Sequence, residues 1–522
     1  MTLQEANSAG RKTESRCENS SGRDLGQSRI VRLICICGVL LLCVSCATEP
    51  RQVSPPVQMP DRFSDSGSGP LPDKWWTALD DAQLAELVER SLEGNFSLKA
   101  AWDRLDQARA LARQRGAPLW PQLDGTASGG RSARETEVAG SEQRIYADEY
   151  SLGLTTSYEV DVWGRVRANY EAGQLNAQAS SEDLQAAALS LTAQVANAWY
   201  RLVEQYAQRD LLERQITTNK RYLQLVELRF RKGEATAPDV LQQRKLVEST
   251  RTEKSAVKAR LETLRHQLAV LVGSVPRKAD LPSRAKLPDL PSLPKTGVPA
   301  KWLRQRPDIY SAYLRVQSRD RELAAAIADQ YPTFRISGNL TTSAAQPSQL
   351  VDQWLAKLAG NMTAPLLDGG RREAEVDRQK AALSESLHNY AQTVLTGVQE
   401  VEDALTNETQ QRETVAGLLR QLELSNRTVV QLWDRYTNGT SGFLRVLDEL
   451  RTQQRLQREV LAARAQLVRD RVDLYRTLGG TWKLNRPQGS PAESLVNETD
   501  SGSEPSEESE SAQEYEHGGA HS

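Results

Sequence analysis

Residues whose types could support catalysis or metal binding are few in this sequence. It has four histidines among 522 residues. They are His266, His388, His517 and His521. No His-Glu-x-x-His pair, phosphate loop or Gly-x-Ser-x-Gly turn occurs. Carboxylates cluster at Glu400, Glu402 and Asp403, beside apolar positions at helical spacing, and a solvated helix face explains them better than paired acid/base work. The sequence therefore predicts a protein that is not an enzyme and needs no cofactor or metal.

Cysteine chemistry is confined to the beginning of the chain. All five cysteines lie within the first 46 residues, so the rest has no thiol for a disulfide or a thiolate metal site. A polar, arginine-containing segment followed by the apolar run 34–44 predicts a signal peptide over residues 1–45. Cys43-Val44-Ser45-Cys46 resembles a bacterial lipobox, which makes Cys46 the candidate lipidated N-terminus. The alternative is ordinary signal-peptidase cleavage with an incidental Cys46.

The overall composition favours long, solvated helices. Hydrophobic residues make up 39% of the chain and charged residues 26%, yet the net charge is only -2. Such a balance suits helices with narrow apolar seams, and it gives no reason to expect nucleic acid as a partner.

The segment from Gly370 to Thr477 predicts two very long helices folded back at residues 436–441. Its first half carries apolar residues four, seven, three and four positions apart: Leu418, Leu422, Val429, Leu432 and Tyr436. This spacing places one apolar stripe along a helix, as in a coiled coil. At 1.5 Å per residue, the first of these two helices, with about 65 residues, would be roughly 95 Å long.

The same pattern occurs 206 residues upstream, which predicts a tandem duplication. The matching positions are Leu212, Ile216, Leu223, Val226 and Phe230. The predicted long helices cover 173–230, 237–272, 370–436 and 443–478, after two shorter helices at 81–94 and 95–115. The predicted organisation is an extended lipidated tether at 46–74, a first repeat at 75–275, a proline-rich linker at 276–299, a second repeat at 300–482 and an acidic disordered tail at 487–522. The tether composition predicts that it buries no core.

Each repeat also contains a pair of predicted β-strands, at 120–125 and 150–162, then at 331–340 and 354–366. Apolar and polar residues alternate along them, with Trp or Tyr near the ends. About ten residues of alternation is what a tilted membrane strand needs. An ordinary soluble sheet is the alternative, because alternation does not distinguish the two.

Five motifs and their order along the chain are specific enough to indicate a family. They are the lipobox, Trp120-Pro121-Gln122-Leu123, Asp161-Val162-Trp163-Gly164-Arg165, Leu367-Asp368-Gly369-Gly370-Arg371, and Arg435-Tyr436-x-x-Gly439 with Val446-Leu447-Asp448. With the duplication, they resemble the outer membrane factor family of TolC-like efflux ducts, in its lipoprotein branch. The resemblance covers residues 75–482. It implies a mainly α chain with four β-strands, and a homotrimer that closes a twelve-stranded β-barrel above a helical coiled-coil barrel.

The resemblance also implies a place and partners. The protein would be lipid-anchored in the outer membrane, extend into the periplasm, and export small molecules received from a periplasmic adaptor and an inner-membrane pump of the RND type. The exported compound is not readable from the sequence. The alternative from another class is a structural lipoprotein that bridges envelope layers without a conducting lumen.

In this family the hairpin tips meet the adaptor. The corresponding residues are Arg229, Lys232, Gly233, Arg435, Gly439, Thr440 and Ser441. The alternative is that the two glycines serve only the turns, which need positive φ.

The family also closes its periplasmic end with an apolar ring and an acidic ring just after the second turn. Matching that segment residue by residue gives Leu444 for the apolar ring, Asp448 one helical turn further for the acidic ring, and Arg445 as a neighbour that could compensate the acidic charge. The alternative is that Leu444 is a seam residue and Asp448 a solvated one.

Overall fold

The computed structural model describes residues 57–70, 72–138, 141–282, 286–479 and 482–485. The chain divides into two compact units, 1–54 and 55–522. All described residues belong to the second unit. The signal peptide at 1–45, the lipidation site Cys46 and the acidic tail at 487–522 lie outside the described residues, and so these predictions stay predictions.

Helices dominate the described part of the chain. In order they are α1 (Ala82–Gly94), α2 (Phe96–Gly116), α3 (Arg165–Arg231), α4 (Ala237–Leu271), α5 (Pro299–Trp302), α6 (Pro307–Ala328), α7 (Arg371–Thr437) and α8 (Phe443–Leu478). With 67 residues each, α3 and α7 are roughly 100 Å long. None of the described helices has a stretch long and apolar enough to cross a membrane.

The two halves of the chain repeat the same helical hairpin. Helices α3 and α7 begin at Arg165 and Arg371 and end at Arg231 and Thr437, so both pairs of ends are 206 positions apart. Helices α4 and α8 begin 206 positions apart as well. The glycines that precede and follow these helices also recur at this spacing with positive φ. The predicted repeat is therefore visible in the helix boundaries themselves.

The four strands form one antiparallel sheet in the order β1-β2-β3-β4. They are β1 (Gln122–Val138), β2 (Ser141–Val160), β3 (Thr333–Ala344) and β4 (Trp354–Thr363). Within β2 to β4 the register aligns even-numbered residues, as in Leu154 with Leu340 and Leu340 with Ala356. Directly paired residues share a face of the sheet, so the even positions form one face.

That face is apolar, and the other is polar. The term apolar face is used here for two sets of residues on the same side of the sheet. They are the even-numbered residues of 150–160, 334–342 and 354–362 and the odd-numbered residues of 123–127. The apolar face includes Leu152, Leu154, Ile336, Leu340, Leu358 and Met362, all exposed in the single chain. The opposite face carries mainly Ser, Thr, Asn, Lys and Arg side chains. The predicted alternation is therefore present in three dimensions.

The predicted strand lengths need correction. The first pair is longer than predicted, because beyond residue 128 small and charged residues replace the alternation while the ladder continues. There Arg131 lies 3.6 Å from Asp148, and Arg144 lies 3.5 Å from Glu135. Strand β4 ends at Thr363 rather than 366, because Pro365 has no N–H for a ladder.

The start predicted for the first long helix was also wrong. Helix α3 begins at Arg165, eight residues before Gly173. Gly164 turns the chain with φ 74°, and the Asp161 carboxylate then accepts hydrogen bonds from the backbone N–H groups of Val166 (3.0 Å) and Arg167 (2.7 Å). This carboxylate satisfies N–H groups that have no partner at a helix start. The two short helices, α1 and α2, match their predicted bounds within one residue.

The main core lies where α1, α2, α3 and α8 meet. Trp75, Trp76 and Trp199 are fully buried there, and Trp75 stacks on Tyr475 with ring centroids 5.8 Å apart. The Trp199 indole N–H donates to the Asp81 carboxylate at 2.8 Å. The bases of both hairpins are thereby fixed to the chain segment that precedes α1.

The segment before this core is more ordered than its composition predicted. Phe63 is buried and packs edge-on against Trp302, 5.7 Å between centroids. The backbone N–H groups of Gly67 and Gly69 donate to the linker carbonyls of Pro294 and Leu293. A Cβ on Gly67 would lie 1.8 Å from the Leu293 carbonyl oxygen, so only glycine permits this approach. The prediction that the tether buries no core residue is wrong at Phe63.

Candidate channel gate and hairpin tips

Both long hairpins end in a turn that requires glycine. Gly233 and Gly439 have φ of 77° and 74°, and a Cβ added to either would meet no atom within 4 Å. The Thr440 N–H donates to the Arg435 carbonyl at 2.8 Å, and the Glu234 N–H donates to the Arg229 carbonyl at 2.9 Å. These bonds are typical of a helix that ends in a left-handed residue. Glycine is thus required for the backbone, and the space around both turns is free.

An apolar cluster lies directly behind the turns and joins the two hairpins. It comprises Val226, Leu246, Tyr436, Phe443, Val446, Leu447 and Leu450. Because α3 and α4 contribute as well as α7 and α8, the two tips form one packed unit. Burial raises the pKa of Tyr436, while the nearby positive charge of Arg229 acts in the opposite direction. The phenol therefore stays neutral at physiological pH.

Arg229 fastens one tip to the other. Its guanidinium lies 4.7 Å from the centroid of the Tyr436 ring, and its Nη1 donates to the Thr437 carbonyl at 3.3 Å. It also lies 3.6 Å from the Glu234 carboxylate, and its side chain is only 16% exposed. Within one chain, Arg229 is therefore an internal contact.

The other predicted tip residues lie at the surface of the turns. Lys232, Gly233, Arg435, Gly439 and Thr440 are exposed, and Ser441 is half-buried. The Thr440 hydroxyl donates to the Arg435 carbonyl at 3.0 Å. Six of the seven residues predicted to meet a partner thus lie at or near the accessible end of the hairpins.

Leu444 and Asp448 lie on an open side of α8, one turn apart. Leu444 is 54% exposed although it is a large apolar side chain. The seam positions of the same helix are instead Val446, Leu447 and Leu450, all buried. In the single chain, Leu444 is therefore not a seam residue.

Within the single chain, the cation beside Asp448 is Arg451. The Arg451 guanidinium lies 3.7 Å from the Asp448 carboxylate, and both groups are largely exposed. Arg445 is exposed and makes no ion pair with any described residue. Arg451 follows Asp448 by three residues, which brings the two side chains onto neighbouring positions of one helix.

Buried amides link the hairpins about three helical turns behind the tips, and sequence reasoning missed them. Asn219 and Gln454 exchange two hydrogen bonds, of 3.2 and 2.7 Å, and Gln215 donates to the Gln454 carbonyl at 3.1 Å. All three side chains are buried. A possible signal was the seven-residue spacing of Gln208 and Gln215, because buried amides at such positions fix the register of coiled coils.

A buried ion pair links the second hairpin to the linker. Arg471 on α8 contacts the Glu408 carboxylate on α7 with two hydrogen bonds, of 2.6 and 2.8 Å, and both side chains are fully buried. Arg471 also donates to the linker carbonyls of Pro291 (2.9 Å) and Ser292 (3.2 Å). The guanidinium thus satisfies the carboxylate and two backbone oxygens in the interior.

The carboxylates singled out in the sequence have structural partners. Glu400 lies 2.5 Å from Arg306 and 3.5 Å from Arg476, and Glu402 accepts the backbone N–H of Ser64 at 3.1 Å. Across the described ranges, no group of three or more His, Cys, Asp or Glu residues could hold a metal ion.

Comparison with known proteins agrees with this geometry. The family model described as "Outer membrane efflux protein" matches residues 87–274 and 298–480. The pyoverdine export outer membrane protein OpmQ of Pseudomonas aeruginosa is 29% identical over 464 residues, covering 85% of this chain and 96% of OpmQ. The cation efflux system protein CusC of Escherichia coli O157:H7 is 26% identical, covering 86% and 99%.

Among solved structures, the outer-membrane channel OprN is similar with a TM-score of 0.75 and 29% identity, covering 83% of this chain and 99% of OprN. The family match spans more than half of the chain, and the structural match covers 83% of it. The chain therefore belongs to the outer membrane efflux protein family, the TolC-like outer membrane factors, whose members are channel proteins of efflux systems and not enzymes.

Proposed function

We propose that three copies of this chain form a passive duct, the outer membrane component of a tripartite efflux system. The observation that carries this proposal is the sheet with one apolar and one polar face, continuous with hairpins roughly 100 Å long. An apolar outer face suits lipid and a polar inner face suits a water-filled lumen. The hairpins are long enough to extend the lumen through the periplasm.

The number of strands supports a trimer. The described sheet has unpaired edges at β1 and β4, and four strands are too few to close a barrel, because the smallest membrane barrels have about eight. Two copies would give eight strands, whose interior is filled by side chains. Three copies give twelve strands and leave a lumen, so a trimer is the assembly suited to transport.

The partners follow from the tips and from the family. A periplasmic adaptor would dock at the exposed turns around Gly233 and Gly439, and an inner-membrane pump of the RND type would drive the transport. Acylation at Cys46 would anchor the N-terminus in the outer membrane. The cargo is a small molecule of unspecified class, since the matched relatives are named for pyoverdine export in one case and cation efflux in another.

The gate would lie at the periplasmic end, on α8. Threefold symmetry brings three copies of Leu444 together as an apolar constriction and three copies of Asp448 together as an acidic ring. Like charges at short distance repel unless cations compensate them. Arg451 compensates Asp448 within each chain. Arg445, which has no ion pair in the part of the chain that the structure describes, is available to the acidic ring from a neighbouring chain.

Planar-bilayer recording of the purified oligomer tests the duct against the structural alternative. A duct gives discrete ion-conducting steps, at least after the gate is weakened. A structural lipoprotein that bridges envelope layers gives none. The structural alternative would be favoured if neither the native protein nor its gate variants conduct ions although their trimers have the native mass and circular dichroism.

A further inference from the structure

A basic groove lies between the two hairpins and the inter-repeat linker. It encloses about 1360 Å³ and is lined by residues of α3, α7 and α8 together with linker residues 286–290. Its charged residues are the cations Arg214, Lys286, Arg412 and Arg464 and the anions Asp210 and Asp289. Cations therefore outnumber anions in a chain whose net charge is slightly negative.

Three of the four cations have no anionic partner among the described residues. Arg412 lies 2.7 Å from Glu408, and Asp210 is paired with Arg209 outside the groove at 2.8 Å. Arg214, Lys286 and Arg464 make no ion pair or hydrogen bond within the described ranges, and all three are exposed. Exposed cations around one concave surface attract an anionic ligand more strongly than the same charges scattered over a convex one.

We propose that this groove binds the acidic C-terminal segment of the same chain, residues 487–522. That segment contains nine Asp or Glu residues and no Lys or Arg. It is attached to the helix that lines the groove, because the Leu484 backbone N–H donates to the Gln185 side-chain oxygen on α3 at 3.2 Å. The groove and the segment are thus complementary in charge and connected by the chain itself.

Chain length decides which acidic residues reach the groove. Arg214 follows Gln185 by 29 positions on α3, an axial distance of about 44 Å. Glu493 is nine residues beyond Leu484 and reaches at most about 30 Å, whereas Glu504 is 20 residues beyond it and reaches about 66 Å. Glu498 and Asp500 reach this distance only when the connecting chain is almost fully extended, at about 46 and 53 Å. The proposal therefore assigns the contact to the acidic residues from Glu504 to Glu516.

Covalent attachment makes weak contacts sufficient. Each exposed ion pair on its own is weak, because water and salt screen it. Attachment within one chain gives an effective concentration on the order of millimolar, so several weak pairs together can keep the groove occupied. Because these pairs are solvent-exposed, occupancy must fall as ionic strength rises.

Zero-length carbodiimide cross-linking of the full-length oligomer in detergent tests the proposal, with cross-linked peptides identified by mass spectrometry. Lys286 should couple to carboxylates of 504–516 within the same chain, as shown by oligomers mixed from two isotopic labels. Lys220, an exposed lysine of α3 outside the groove, is the internal control. Raising NaCl from about 0.05 M to about 0.5 M should lower the Lys286 yield roughly fivefold.

A charge-reversal variant separates binding from random collision. Arg214→Glu with Arg464→Glu leaves both reactive groups intact and should lower the Lys286 yield by a similar factor. The matched variant Arg221→Glu with Arg260→Glu reverses two exposed arginines outside the groove and should leave it unchanged. The proposal is overturned if Lys286 does not couple to the segment, couples no more than Lys220, or couples only between chains. If the reversal variant does not assemble, the salt series on the native chain decides.

Discussion

At the scale of single residues, the Glu408–Arg471 pair gives the clearest energetic prediction. Both side chains are fully buried, and Glu408 is the anionic partner of Arg471 in the interior, whereas Glu408 also pairs with Arg412. We expect Glu408→Leu, which leaves the buried guanidinium without an anion, to lower the free energy of unfolding by about 3–5 kcal/mol per chain. The double variant Glu408→Leu with Arg471→Met should recover most of that loss, because no buried charge remains. Guanidinium denaturation followed by circular dichroism measures both; equal losses in the two variants would contradict this account.

The role of a residue was predictable from the sequence where the backbone conformation at its position admits mainly one residue type. Gly233 and Gly439 occupy the left-handed turns predicted for them. The sequence did not single out Arg451, the cation that lies beside Asp448 within one chain, because Arg445 and Arg451 are both close to Asp448 in sequence and only side-chain geometry distinguishes them. The role of Arg445 in the assembly stays a prediction. The pair of Asn219 with Gln454 was missed for a related reason. A polar residue on a long helix suggests solvent until the position of the partner helix is known.

At the scale of elements, two substitutions of Gly439 distinguish the effect of backbone strain in the turn from the effect of side-chain size on docking. Gly439→Ala and Gly439→Trp should both lower stability by about 1–2 kcal/mol, because each places a non-glycine residue in a left-handed conformation. In neither variant would the Cβ meet an atom within 4 Å. If the turn docks the adaptor, Gly439→Trp should weaken binding of the cognate adaptor to the purified trimer at least about tenfold, which corresponds to about 1.4 kcal/mol. Gly439→Ala should bind nearly as the native protein does. Equal weakening by both variants would assign the effect to the backbone.

The apolar face of the sheet gives a second prediction at this scale. Leu358 lies at the middle of that face, paired with Gly338, whereas Ala359 next to it lies on the polar face. We expect Leu358→Lys to destabilise the membrane-inserted protein by about 2–4 kcal/mol, as a lysine near the bilayer midplane does. Ala359→Lys should be tolerated, because it would extend into water. Yields of heat-resistant oligomer from outer membranes compare the two, and equal yields would mean that this face does not contact lipid.

Helices were more predictable than strands for a physical reason. The period of the apolar residues and the flanking glycines gave all four long-helix ends at the tips to within one residue. Strand ends carry no comparable signal once the chain leaves the lipid region. Strand β1 continues after residue 128, and β2 begins before residue 150. This part of the pair is held by the backbone ladder and by exposed ion pairs such as Arg131 with Asp148, and an alternating pattern does not reveal either.

At the scale of the whole molecule, the proposed duct depends on contacts that a single chain lacks. Strands β1 and β4 have free edges, and Leu444 is an exposed apolar residue beside a packed seam. Both features are costly in a monomer, because unpaired strand edges and exposed apolar groups favour association. A threefold assembly would pair the strand edges and bring the three Leu444 side chains together at one constriction. The central claim is therefore that the lumen narrows at Leu444 and Asp448.

Single-channel conductance of gate variants tests that claim most directly. Leu444→Ala with Asp448→Ala should raise the conductance of reconstituted trimers severalfold, because it removes both the apolar constriction and the acidic ring. The matched control is Glu248→Ala with Arg251→Ala, which removes an exposed ion pair from the first hairpin and should leave conductance at the native value. An unchanged conductance in the Leu444/Asp448 variant, with trimers intact, would contradict the claim and place the constriction elsewhere.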